Sequence, residues 1–94
     1  MYARISHVKM KDVDAAVEKV KEQRPLLREM KGFIGSRLIK ISNEEAMGVG
    51  FFESKEAFEA SEVQFGQIMG SMKDYMTAPP NVMNGEVVFH FDAE

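Results

Sequence analysis

Apolar residues along this chain follow two periods in alternation, and each change of period marks the edge of an element. Residues 2–10 carry β-branched positions, Ile5 and Val8 among them, and close on Lys11-Asp12, which predicts a strand. The alternation there is imperfect, as in a strand buried on both faces. Asp12 stands where a helix N-cap is needed, with Asp14 in the first turn beside the positive end of the helix dipole. Val13, Ala16, Val17, Val20, Leu27 and Met30 then fall on one helical stripe, interrupted by Arg24. Pro25 sits inside that stripe. It cannot donate to the carbonyl of Lys21 and its ring crowds that carbonyl, so the pattern predicts a kink or a short second helix starting at Pro25. Gly32 ends the helical stretch by permitting a left-handed cap.

Residues 33–41 and 46–53 read as two strands joined by Ser42-Asn43-Glu44-Glu45, a connection short and polar enough for an antiparallel hairpin. Ser54 is the expected N-cap of the next helix, with Glu56 in its first turn. Phe58, Phe65, Ile68, Met69, Met72 and Met76 recur there at helical spacing. Gly66 and Gly70 weaken this helix by about 1 kcal/mol each relative to Ala, and they make a local break or a close approach plausible there. Pro79 and Pro80 stop it. Glu86 to Phe91 reads as the last strand. The order is βαββαβ, an α+β, ferredoxin-like arrangement with a four-stranded antiparallel sheet and both helices on one face. Phe33, Ile39 and Ile41 are apolar on one parity of their strand, Ile34 and Leu38 on the other, and Val87, Phe89 and Phe91 alternate with Val88 and His90. A solvated sheet face would alternate with polar residues more cleanly, so the uncovered face is expected to pack on a second copy as a homodimer.

Composition narrows the setting. At 94 residues the chain is expected to be a single domain, residues 1–94, with an apolar fraction of 45%. With no cysteine it has no thiolate for catalysis or metal binding. A net charge of −3 with interspersed signs argues against a nucleic-acid footprint. No apolar run approaches the roughly 20 residues of a membrane span, and the N-terminus lacks the apolar core of a signal peptide, so a cytoplasmic location is expected.

The Gly32-Phe33-Ile34-Gly35-Ser36-Arg37 run after Pro25, the strand ending in Phe52-Glu53-Ser54-Lys55-Glu56-Ala57, and Pro79-Pro80 before a Val-rich close resemble the antibiotic-biosynthesis-monooxygenase-like branch of the dimeric α+β barrel proteins. The resemblance spans nearly the whole chain. It implies a cavity between sheet and helices, and a family that holds cofactor-independent oxygenases of polycyclic aromatics, haem-degrading enzymes and many proteins of unknown role. Fold alone does not choose among these. Many members carry Trp where Phe52 stands, and the haem-degrading ones need that Trp and a His on the second helix. This chain has no Trp, and offers Ser61, Gln64 and Gln67 on that helix, which argues against haem as a ligand.

The resemblance therefore implies oxidation of a small or polycyclic aromatic without metal or organic cofactor. The alternatives are a non-enzymatic ligand-binding or stress-related barrel protein, and an isomerase or decarboxylase using the same cavity. His7 and His90 are the candidate bases, because imidazole titrates near neutral pH; the ordinary reading of each is a hydrogen-bonded strand histidine. A metal site built on the pair lacks an obvious third ligand, although Asp92 shares parity with His90. Arg37 is a candidate anion ligand or inter-subunit salt-bridge partner. Tyr75 is a candidate hydroxyl donor or a helix-end tyrosine with a wet tip. Phe52, Phe65, Met69 and Met72 complete the candidate ligand contacts, the methionines suiting either a flat aromatic ligand or an ordinary adaptable core.

Overall fold

The computed structural model describes residues 1–93. Its elements run β1 (Tyr2–Lys9), α1 (Val13–Lys21), α2 (Arg24–Glu29), β2 (Phe33–Ser42), β3 (Glu45–Phe52), α3 (Lys55–Ala60), α4 (Glu62–Ser71), a 3₁₀ turn (Lys73–Tyr75) and β4 (Asn81–Glu86). The strands form one antiparallel sheet in the order β2-β3-β1-β4, with the helices packed on one side. This is the expected α+β, ferredoxin-like arrangement. No described helix is long and apolar enough to cross a membrane.

The signals at the helix ends act as read. Asp12 Oδ1 accepts from the backbone N–H of Asp14 at 3.0 Å and of Ala15 at 3.4 Å, and Ser54 Oγ accepts from that of Ala57 at 3.1 Å. Pro25 lies in the first turn of α2, where its missing N–H costs nothing, so the first helical stretch divides before it into two helices. Gly32 adopts φ +75°, and a Cβ there would meet Ala57 Cβ at 2.6 Å, so both conformation and space demand glycine.

Two expectations need correction. The second helical stretch breaks at Ser61, not at the glycines: α4 runs through Gly66 and Gly70, and a Cβ at either would meet nothing within 4 Å. Ser61 is buried, and its Oγ donates to the Phe58 carbonyl at 2.6 Å, a local bond that competes with the helix ladder. The last strand is residues 81–86, not 86–91. Its register against β1 pairs His7 with Asn81 and Tyr2 with Glu86, so β1 has no residue left to pair beyond that point. One bond continues the ladder, Val87 N–H to Met1 O at 2.9 Å. Residues 87–93 follow without a regular element, and Val88, Phe89 and Phe91 are exposed.

Register settles which side chains face the helices. Arg4, Ser6 and Val8 of β1 stand opposite Gly50, Gly48 and Ala46 of β3, and Val8 and Ala46 pack with Val13 and Ala16 of α1. On β2, Ile34 is an extra residue in a bulge, which turns Phe33 toward Phe52 and the helices while Arg37 and Ile39 pair with Val49 and Met47 of β3. The bulge brings Phe33 and Leu38, which differ in parity, to the same side of the sheet. Two buried clusters result. One holds Val8, Met10, Val13, Ala16, Ala46 and Met72; the other holds Met30, Phe52 and Phe58, with the Phe52 and Phe58 rings edge-on at 5.8 Å.

Candidate functional site

Between these clusters the layers do not close. A cavity of about 160 Å³ lies there, bordered by members of both. Its floor is the helix side of the sheet: Arg4, Ser6 and Val8 from β1, Gly48 and Gly50 from β3, Ser36 and Leu38 from β2. Phe65, Ile68, Met69 and Met72 form the roof, and Val20, Gln23, Leu27 and Met30 the side wall. Gly48 and Gly50 are the reason the floor is low. A Cβ at Gly48 would lie 3.7 Å from Leu38 Cδ1, and one at Gly50 would lie 3.7 Å from the Phe52 ring and 3.8 Å from the Phe33 ring, which are ordinary contacts. Neither position excludes a side chain by backbone geometry, since neither has a positive φ.

The wall is mostly apolar. Its polar and charged residues on the helix side are Arg4, Ser6, Gln23 and Ser36; Arg37 borders it from a strand position that faces the other way. Arg4 is 5% exposed, and its guanidinium carbon lies 3.9 Å from the centre of the Phe65 ring, 4.5 Å from Phe58 and 5.6 Å from Phe52. Nη1 donates to Ser61 Oγ at 3.3 Å and Nη2 to Glu62 Oε1 at 2.7 Å. Among the described residues, no group of three or more Asp, Glu or His is placed to hold a metal ion.

Of the candidate ligand contacts, Arg37, Phe52, Phe65, Met69 and Met72 border this cavity. Arg37 is exposed, donates from Nη1 to the Ser36 carbonyl at 2.9 Å, and also borders a second, shallower hollow. Tyr75 is not in the wall; it packs against the cluster built on Val8 and Met72. The two histidines lie apart. His7 alternates with Ser6 and Val8, so it points to the sheet face away from the helices, where its Nε2 pairs with Glu45 Oε2. His90 lies in the segment after β4 and borders the shallow hollow with Met1, Ile34, Gly35, Arg37, Phe51 and Asp92. Neither imidazole lines the helix-side cavity.

Sequence reading missed Arg4, Ser6, Gly48 and Gly50. The signal for Arg4 was present: a lone cation inside a strand with apolar neighbours, the same feature that singled out Arg37. The glycines gave their signal in the spacing Gly48-x-Gly50, two positions apart and therefore on one face of a strand.

No known family profile and no curated protein matches the sequence. Solved structures match it closely in shape. The chain has the fold of the antibiotic-biosynthesis-monooxygenase-like proteins, as its resemblance implied. A Nitrosomonas europaea protein of unknown function superposes with a TM-score of 0.80 at 14% identity, over 99% of this chain and 94% of that one. SnoaB, a cofactor-independent oxygenase from Streptomyces nogalater, superposes with a TM-score of 0.79 at 11% identity, over 98% and 97%. The ActVA-Orf6 monooxygenase of Streptomyces coelicolor, in complex with nanaomycin D, gives 0.75 at 10% identity, over 99% and 92%.

Proposed function

We propose that this protein is a cofactor-independent monooxygenase of a small or polycyclic aromatic compound, working as a homodimer joined through the sheet face away from the helices. The observation that carries the reading is the apolar cavity between sheet and helices, in a fold shared with a cofactor-independent oxygenase. A flat, ionisable aromatic suits such a wall: the methionines adapt to its faces and the few polar groups orient its oxygens. In the reaction a substrate methylene first loses a proton. The resulting carbanion passes electrons to dioxygen, one oxygen atom ends as the new carbonyl, and the other leaves as water. The substrate supplies every electron.

Anthrone is a suitable probe, because its conversion to anthraquinone and water follows this balance. Oxygen uptake and quinone absorbance should rise above the uncatalysed rate in proportion to protein. Binding of aromatics without any acceleration across a panel of acidic aromatics would overturn the oxygenase and leave the rival reading, a ligand-binding protein. That rival has a specific observation in its favour, since among the described residues no carboxylate or imidazole lines the cavity. An isomerase or decarboxylase would need such a group inside it. The assignment of His7 or His90 as base is tested in the same assay. A fall of about 10²–10⁴-fold in His7→Ala or His90→Ala upholds it. Unchanged rates in both, which their positions outside the wall favour, would mean that neither histidine is the base.

Haem is expected not to be a substrate. The helices over the sheet carry no histidine, and the sequence has no tryptophan. Titration with hemin should give no discrete axially ligated spectrum and no ring opening with a reductant; a stoichiometric complex that turned over would refute this.

A further inference from the structure

Arg4 is a buried cation whose counterion stands in water. Its side chain is 5% exposed, while that of its partner Glu62, in the first turn of α4, is 58% exposed. The guanidinium is held from three sides. The Phe65 and Phe58 rings lie within 4.5 Å, Ser61 Oγ accepts from Nη1, and the strand fixes the stem. Arg4 also lines the apolar cavity, and its partner across the sheet is Gly50, which has no side chain to intervene. A guanidinium carries five N–H donors, and the two hydrogen bonds to Ser61 and Glu62 use only part of that set.

Two energies are unequal here. A carboxylate as exposed as that of Glu62 gains little from an ion pair and returns to water at little cost. An anionic oxygen held in a mostly apolar wall gains more from a fixed guanidinium, because its surroundings screen it less than water does. We propose that Arg4 is the specificity-determining residue of the cavity: it binds an anionic oxygen, carboxylate or ionised phenol, on an aromatic ligand, and Glu62, which pairs with the guanidinium from outside the cavity wall, competes with that ligand for its charge. The inference rests on the reading that the cavity takes an aromatic compound. It adds the charge of the ligand and the residue that selects it. The oxygenase is thereby directed to substrates that carry an anionic oxygen.

The test compares a naphthoate with the matching naphthamide, two ligands of one shape that differ in charge, by calorimetric or fluorescence titration. The wild type should prefer the naphthoate. Glu62→Gln removes the competing carboxylate from an exposed position, and should tighten the naphthoate by about tenfold while leaving the naphthamide unchanged. Arg4→Gln should abolish the preference. Because Arg4 is buried among aromatic rings and its variant is at risk of misfolding, the Glu62→Gln result decides. Naphthamide binding with no preference for the anion, or a naphthoate affinity that Glu62→Gln leaves unchanged or weakens, would overturn the competition and make Arg4–Glu62 a structural ion pair. Failure of both ligands to bind the wild type would overturn the aromatic-cavity reading itself, and this inference with it.

Discussion

Ile39→Asp is expected to convert the proposed homodimer into a folded monomer at micromolar concentration. The sheet face away from the helices presents Ile5, Met47, Val49, Phe51, Ile39 and Met83 in neighbouring strands, and Ile39 and Met83 are about half exposed in the single chain. An apolar sheet surface of this breadth is unusual on a monomer. Stable pairs typically bury about 800 Å² per partner, and a four-stranded face offers an area of that order. Packed against a copy of itself, a carboxylate at position 39 would lose its water without gaining a partner, at a cost of several kcal/mol for each copy, roughly. In the single chain the same side chain stays hydrated, since Ile39 is 50% exposed there. Sedimentation should therefore give the mass of two chains for the wild type and of one for the variant, with unchanged far-ultraviolet circular dichroism. A wild type that sediments as a monomer would end the dimer proposal.

Phe52→Ala is expected to cost about 3–5 kcal/mol of stability, a large share of the roughly 5–15 kcal/mol that holds a domain together. Phe52 is 1% exposed at the end of β3. Its ring meets Phe33 at 5.5 Å and Phe58 at 5.8 Å, and also lies under the Arg4 guanidinium. Removing it breaks both aromatic contacts and joins a new void to the existing cavity. Urea unfolding should show the midpoint falling with little change in slope. A loss below about 1 kcal/mol would mean that the site collapses onto the gap, and that the aromatic cluster is not what fastens α3 to the sheet.

The pattern of periods and caps was enough to place the first three strands and the four-strand fold, because each signal there is local. Asp12 and Ser54 cap what they precede, Pro25 starts the helix it was expected to start or kink, and Gly32 takes the conformation that only glycine adopts freely. The last strand was misplaced because strand propensity is a preference for a half-buried surface, and a partner must be present to supply it. Val87-Val88-Phe89-His90-Phe91 has the stronger propensity, yet β1 begins at Tyr2 and leaves it only one bond. Asn81-Val82-Met83-Asn84-Gly85-Glu86, a weak strand former, takes the place beside β1. The site was half legible. Phe65, Met69 and Met72 reached the cavity wall through helical periodicity alone. The direction of a strand side chain depends on register and bulges, which no single segment reveals; hence His7 and Arg4, three residues apart on β1, exchanged their expected importance.

Gly48 and Gly50 give the cavity a property that its wall does not share. Most positions around a ligand also carry the fold, so altering them to suit a larger or smaller compound disturbs the protein. These two do neither: their backbone needs no special conformation, and a Cβ at each would find ordinary neighbours. The room in the cavity is set by side chains left out at the centre of the sheet. Cavity volume and fold stability can therefore be adjusted separately, and a lineage could retune the chamber by adding atoms at 48 or 50 while Phe52 and the helix caps keep the scaffold unchanged.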